Sequence, residues 1–139
     1  MLTTTSEYAL RAVGYLATAD PDTRVGSEEI AQATHVPKRF LLKILHTLKN
    51  HGILTATRGI GGGFRLAVPP DSITFHDIIT IFEDLSRYDH CPLGEEKCGE
   101  DGSCPMHEEW SKVRNSYKSF LKNTTFQSFR KTPSIYRKP

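Results

Sequence analysis

A chain of 139 residues with 37% hydrophobic and 24% charged side chains supports one main domain with an appendage, and it contains no apolar run near the roughly 20 residues of a membrane span. Its start, Met1-Leu2-Thr3-Thr4-Thr5-Ser6-Glu7, lacks the basic and apolar regions of a secretory signal, and an odd number of cysteines argues against a disulfide framework, so a reducing cytoplasm is expected. The net charge of +2 hides a segregation: no acid lies between Ile30 and Pro70, acids dominate from Asp71 to Glu109, and none follows Glu109.

Thr4 and Glu7 have capping-box spacing and open a first helix, whose Leu10, Val13, Leu16 and Ala17 recur at helical spacing until Asp20-Pro21 ends it near Ala19. Ser27 is the expected N-cap of a short helix reaching Thr34, with Glu28 and Glu29 at its positive end. After the break at His35-Val36-Pro37, with Pro37 at the first helical position, Phe40, Leu41, Ile44, Leu45 and Leu48 predict the buried stripe of another helix. Lys38, Arg39, Lys43 and Lys49 lie off that stripe. Two short helices joined by a tight turn, the second one basic, make a helix-turn-helix pattern in an acid-free stretch, which points to DNA.

Ile53–Arg58 and Gly63–Val68 read as two strands turning through Gly59-Ile60-Gly61-Gly62-Gly63. A hairpin directly after a helix-turn-helix is a winged helix. The fold class expected is therefore mainly α with a small β-hairpin, and residues 1–70 form the DNA-binding domain. Within it Lys38, Arg39 and Lys43 are expected at the major groove. Arg58 and Arg65 are expected to bring the wing onto phosphate, with Gly61, Gly62 and Gly63 allowing close backbone approach.

A connecting helix follows in 71–90, with Thr74 and Asp77 as its capping pair, Phe75, Ile78, Ile79 and Phe82 on its apolar face, and His76 toward solvent. Residues 91–107 hold every cysteine: Cys91, Cys98 and Cys104, separated by six and five residues, with His107 three positions on. Thiolates are soft donors and imidazole is borderline, so the set suits an iron–sulfur cluster or zinc and not magnesium or calcium. Pro105 fits the first turn of a helix that Cys104 would cap, which puts His107 one turn inside it. The alternative is an exposed acidic loop that merely contains cysteines, but three isolated thiols there would be open to oxidation. A thiol redox enzyme is disfavoured, because there is no Cys-x-x-Cys pair and no legible nucleophile–base pair. Residues 105–130 are expected to form a dimerisation helix and return segment, with Trp110, Val113, Tyr117 and Phe120 as its seam. Residues 131–139 read as a disordered tail.

Ser6-Glu7-Tyr8-Ala9-Leu10, Phe40-Leu41, Leu48-Lys49-Asn50-His51-Gly52-Ile53-Leu54, the wing Arg58-Gly59-Ile60-Gly61-Gly62-Gly63-Phe64 and the three-cysteine loop together resemble one family over Leu2 to Phe129. This is the Rrf-two family of bacterial winged-helix transcriptional regulators, which includes IscR, NsrR, RirA and CymR, and the likeness is to its cluster-binding branch. The resemblance implies a homodimer on a pseudo-palindromic double-stranded DNA operator, and no catalysis. It further implies a repressor whose DNA affinity responds to a cluster sensing iron, redox state or nitric oxide. A 2Fe–2S cluster is expected ahead of a 4Fe–4S one, with structural zinc as the alternative. Cys91, Cys98 and Cys104 would be ligands, and the family's fourth ligand maps onto His107 or, from the partner subunit's first helix, onto Glu7. One redox-sensing branch pairs a first-helix Glu with a His near the recognition helix, which would join His35 to Glu7. Leu42 stands where some relatives carry a polar base-reading residue, so no operator sequence is transferred.

Overall fold

The computed structural model describes residues 2–93 and 104–132. Its elements run α1 (Thr4–Thr18), α2 (Ser27–Thr34), α3 (Lys38–Asn50), β1 (Leu54–Thr57), β2 (Gly63–Leu66), α4 (Phe75–Phe82), α5 (His107–Asn123) and α6 (Gln127–Lys131), with single 3₁₀ turns at Pro70–Ser72 and Leu85–Asp89. The winged helix predicted from the sequence is present. Helix α1 is the central post, packing on α2, α3, α4, α6 and β2.

The core follows the predicted periodicities. Ala9, Ala12, Val13 and Leu16 of α1 meet Ile30 of α2 and Leu41, Leu45 and Leu48 of α3. Ile73, Ile78 and Phe126 belong to the same cluster, so this apolar core runs past residue 70 and takes in the return segment. Phe126 is fully buried, and its N–H lies 3.2 Å from the carbonyls of both Pro70 and Ile73. Its ring contacts Phe75 at 5.0 Å and Phe129 at 5.5 Å, and a bridge between Thr74 and Thr125 fastens the return beside α4.

The hairpin is antiparallel, Leu54 opposite Leu66 and Thr57 opposite Gly63. A third element joins it: Val25 and Phe64 exchange backbone hydrogen bonds of 2.8 Å in both directions. The glycines therefore have an internal explanation. A Cβ on Gly62 would overlap the Thr57 carbonyl oxygen, and one on Gly63 would sit 2.6 Å from the Val25 oxygen. Gly63 also adopts φ 135° and Gly61 φ 74°, conformations in which an L side chain is strained. Close backbone approach was expected toward phosphate; at Gly62 and Gly63 the close neighbour is the protein itself.

Several caps are displaced from the sequence reading. Thr3, not Thr4, caps α1, its Oγ1 accepting the Ser6 N–H at 3.2 Å, because Thr3 is itself held from outside the helix by Glu83. Glu7 is therefore not part of a capping box. Gly26 takes the N-cap position expected for Ser27, since the Val25–Phe64 pairing holds the chain extended to that point and the Gly26 carbonyl receives the Ile30 N–H. Pro37 precedes α3 as its N-cap instead of opening it. Met106 occupies the N-cap of α5 in place of Cys104: the His107 N–H closes a turn onto the Cys104 carbonyl at 3.2 Å, so the helix starts later and His107 is its first residue. The Thr74–Asp77 capping box is complete, as expected. His76 is half-buried, not solvent-facing. Of the tail, Lys131 ends α6; residues 133–139 lie outside the described part.

Candidate nucleic-acid interface and metal centre

Helix α3 presents two faces. Leu41, Ile44, Leu45 and Leu48 are buried, while Lys38, Arg39, Lys43 and Lys49 are exposed. Phe40 departs from the expected stripe: it is 42% exposed, with the Arg39 guanidinium 4.6 Å above its ring. A hundred-degree turn per residue carries position 40 just beyond the face that Leu41 and Ile44 define. Phe40, Lys43 and Ile44 instead form one wall of a groove of about 340 Å³, whose other wall is Thr4, Thr5 and Tyr8 of α1.

The basic candidates are not equivalent. Arg39 and Lys43 project from α3, and Arg58 is exposed where β1 enters the wing turn. Lys38 is paired with Glu28 of α2 at 2.7 Å, and that hydrogen bond and charge lower the Glu28 carboxyl pKa. Arg65 is half-buried on β2 and lines a cavity shared with Leu16, Pro69 and Arg130. His35, raised as a second ligand beside Glu7, caps α2 in the left-handed conformation at φ 56°. Its side chain is exposed.

On the metal side, Cys91 is buried, and its Sγ accepts the Leu93 N–H at 3.4 Å. Cys104 is half-buried, and neither thiol is in a disulfide. The His107 N–H bond to the Cys104 carbonyl keeps those two residues in one turn. Cys98 lies outside the described residues. Among the described residues no three potential ligands converge on one point, but the donor types, soft thiolate with imidazole, fit a cluster or zinc. Glu7 is exposed on α1.

The segment leading to Cys91 is fixed to the protein by side chains to which the sequence assigned no such role. Arg87 Nη2 donates to Glu83 Oε1 and to the Tyr88 hydroxyl, both at 3.0 Å. The Tyr88 ring meets Tyr117 of α5 edge-on at 5.4 Å, and Lys118 pairs with Asp89. Burial, with Tyr88 alongside, pushes the Tyr117 hydroxyl pKa up to about 12. The hydrogen bond from Lys118 lowers the pKa of Asp89. Tyr117 of the expected seam is thus turned toward its own chain, whereas Val113 and Phe120 are 54% and 52% exposed. Trp110 is half-buried, and among the described residues its indole N–H has no hydrogen-bond partner.

Residues 2–132 match the family described as Rrf2, iron-dependent transcriptional regulator. A candidate HTH-type transcriptional regulator of Aquifex aeolicus is 40% identical over 125 residues, covering 88% of this chain and 86% of that protein. The structure of CymR, the global cysteine regulator of B. subtilis, superposes with a TM-score of 0.78 at 26% identity, over 94% of this chain and 96% of that one. IscR of T. potens has the same fold, with a TM-score of 0.75 at 22% identity over 100% of this chain and 92% of its own.

Proposed function

Because the chain belongs to the Rrf2 family of transcriptional regulators, we propose that it is a homodimeric, cluster-switched repressor that binds double-stranded DNA at a pseudo-palindromic operator. The observation that carries this reading is the joint exposure of Arg39, Lys43 and Arg58 on α3 and the wing, over a core that uses the opposite face of α3. Such a surface can place a helix in the major groove with cations at the flanking phosphates. Exposure of Val113 and Phe120 along α5 supports the dimer, since two copies would bury both.

Cys91, Cys98 and Cys104 would hold a 2Fe–2S cluster, with His107 as fourth ligand and Glu7 of a partner subunit as the alternative. When bound, the cluster supplies a cross-link whose presence depends on iron supply and redox state. The chain's own residues do the rest. Cys91 anchors the segment in a buried position, Asp89 and Tyr88 clamp that anchor to α5, and the turn at Cys104 keeps His107 beside it. Release of Glu7 from any capping duty leaves its carboxylate available, so the two fourth-ligand candidates need a direct comparison.

Anaerobic purification followed by an absorption spectrum and iron, sulfide and zinc analysis tests the reading. Iron and sulfide in near-equal amounts are expected, and they should be lost in Cys91→Ala, Cys98→Ala and Cys104→Ala proteins that remain helical. Stoichiometric zinc without sulfide would replace sensing by a structural metal. In parallel, His107→Ala should alter the electron paramagnetic resonance signal of the reduced cluster while Glu7→Ala leaves it unchanged; the reverse would assign the ligand to α1.

A further inference from the structure

Glu83 is a poor place for a carboxylate unless something is gained by it. Its side chain is only 5% exposed, and burying a charge is unfavourable until its oxygens are satisfied. Here they are. Oε2 accepts from the Thr3 N–H at 3.0 Å, the Thr3 hydroxyl at 2.8 Å and the fully buried Ser6 hydroxyl at 2.5 Å, while Oε1 accepts from Arg87 at 3.0 Å. Burial pushes its pKa up, but the hydrogen bonds from Ser6 and Thr3 and the Arg87 charge outweigh that and leave it lowered. Holding Thr3 as the α1 cap engages only Oε2 and does not call for Arg87 on Oε1. The carboxylate instead joins three separate parts of the chain: the start of α1, the end of α4 and the turn that leads to Cys91.

The two oxygens differ in kind. Ser6 is buried and Thr3 half-buried, whereas Arg87 is half exposed, so its guanidinium can exchange the carboxylate for water more readily than the two hydroxyls can. Beyond Arg87 the contacts pass through Tyr88 and Asp89 to Tyr117 and Lys118, and Cys91 follows two residues after Asp89. Beyond Thr3 and Ser6, α1 packs directly on α3, with Ala9, Ala12 and Val13 in one core with Leu41, Ile44 and Leu45, and Thr4, Thr5 and Tyr8 face Phe40, Lys43 and Ile44 across the groove. We infer that Glu83 is a positioning residue that couples the cysteine segment to the recognition helix, with the Arg87–Glu83 contact made in one state of that segment and broken in the other. This rests on the reading that the cysteines hold a switchable metal group.

The closing experiment uses the full chain, purified anaerobically with its cluster and again after the cluster has been removed. Duplex DNA affinity is measured in both forms for the wild type, Glu83→Gln, Arg87→Ala and Arg87→Lys, together with amide hydrogen exchange of the peptide spanning Thr3 to Ala9. The wild-type affinity ratio between forms should fall in the range of about 5- to 150-fold that coupled sites show, and shrink to about twofold or less in Glu83→Gln and Arg87→Ala. Iron content and spectrum should be unchanged in those variants. Cluster removal should alter exchange at Thr3–Ala9 in the wild type and in Arg87→Lys but not in the other two. A wild-type ratio retained in Arg87→Ala, or equal weakening of both forms in the variants, would reduce Glu83 to a structural prop and overturn the inference. Equal affinity of the two wild-type forms would remove the sensing reading itself, and the coupling with it. Should Glu83→Gln not fold, Arg87→Ala still decides, since its side chain is half exposed.

Discussion

Alanine in place of Gly63 separates the two explanations for the wing's glycine run. At φ 135° an alanine is in a region occupied almost only by glycine, which costs about 1–3 kcal/mol. Its Cβ would also lie 2.6 Å from the Val25 oxygen, so the Val25–Phe64 pairing must open. That pairing comprises two hydrogen bonds of 2.8 Å, each contributing about 0.5–1.5 kcal/mol. The sum is a destabilisation of about 2–6 kcal/mol, a large part of the roughly 5–15 kcal/mol that holds a domain together. For a chain of this length it should lower the Tm by about 6–20 °C. Gly61→Ala is the control: its φ of 74° is strained but nothing lies within 4 Å of the added carbon, so a loss of about 1–2 kcal/mol is expected. Urea denaturation gives the free energies, and fluorescence anisotropy on duplex DNA gives binding for the folded fraction. If Gly63→Ala were as stable as the wild type and yet lost DNA binding, Gly63 would serve the phosphate backbone and the internal explanation would be wrong.

Three other outcomes follow from the same geometry. Arg58→Ala and Lys43→Ala should each lower the slope of log affinity against log salt by about one, whereas Lys38→Ala, whose ammonium is already on Glu28, should change it less; slopes that do not move would misplace the DNA face. Replacing exposed Val113 or Phe120 by Asp should convert a dimer to a folded monomer in analytical ultracentrifugation, and a dimer that survives both changes would put the seam elsewhere. Glu83 has a folded pKa below its ordinary value of 4.5, so its ionised form stabilises the fold above that pH, and the contribution disappears as pH falls through the lower, folded value. The Tm gap between wild type and Glu83→Gln should therefore narrow on acidification below about pH 4.5; a gap independent of pH would show that the carboxylate charge is not what Thr3, Ser6 and Arg87 hold.

The winged helix was legible because its determinants are local: the 3.6-residue recurrence of Leu41, Ile44, Leu45 and Leu48, the glycine-rich turn between two β-prone runs, and the Thr74–Asp77 box. What escaped was set by residues distant in sequence. Thr3 displaced Thr4 as cap because Glu83, about eighty residues later, holds it. Gly26 displaced Ser27 because Phe64 fixes Val25. Glu83 reads in the sequence as one acid among many in an acidic stretch, and only the packing of α4 on α1 shows that it is enclosed. Of the proposed metal ligands, the cysteines and His107 were apparent from residue type and spacing alone, but spacing says nothing of which oxygen or nitrogen completes the set.

The seat of Phe126 bears on how the protein is made. Its partners in the core, from Ala9 to Ile78, leave the ribosome first, yet the space between Phe75 and α1 stays open until the return after α5 arrives. Before residues 124–126 are made, the amino-terminal module lacks Phe126, and the apolar surface that this ring covers in the folded protein has nothing over it. The cysteines emerge before that ring is in place. A chain ending prematurely at Asn123 would carry the complete recognition helix, wing and cysteine set but lack the plug, and it should be cleared by proteases as a misfolded protein instead of persisting as a regulator that binds DNA without control.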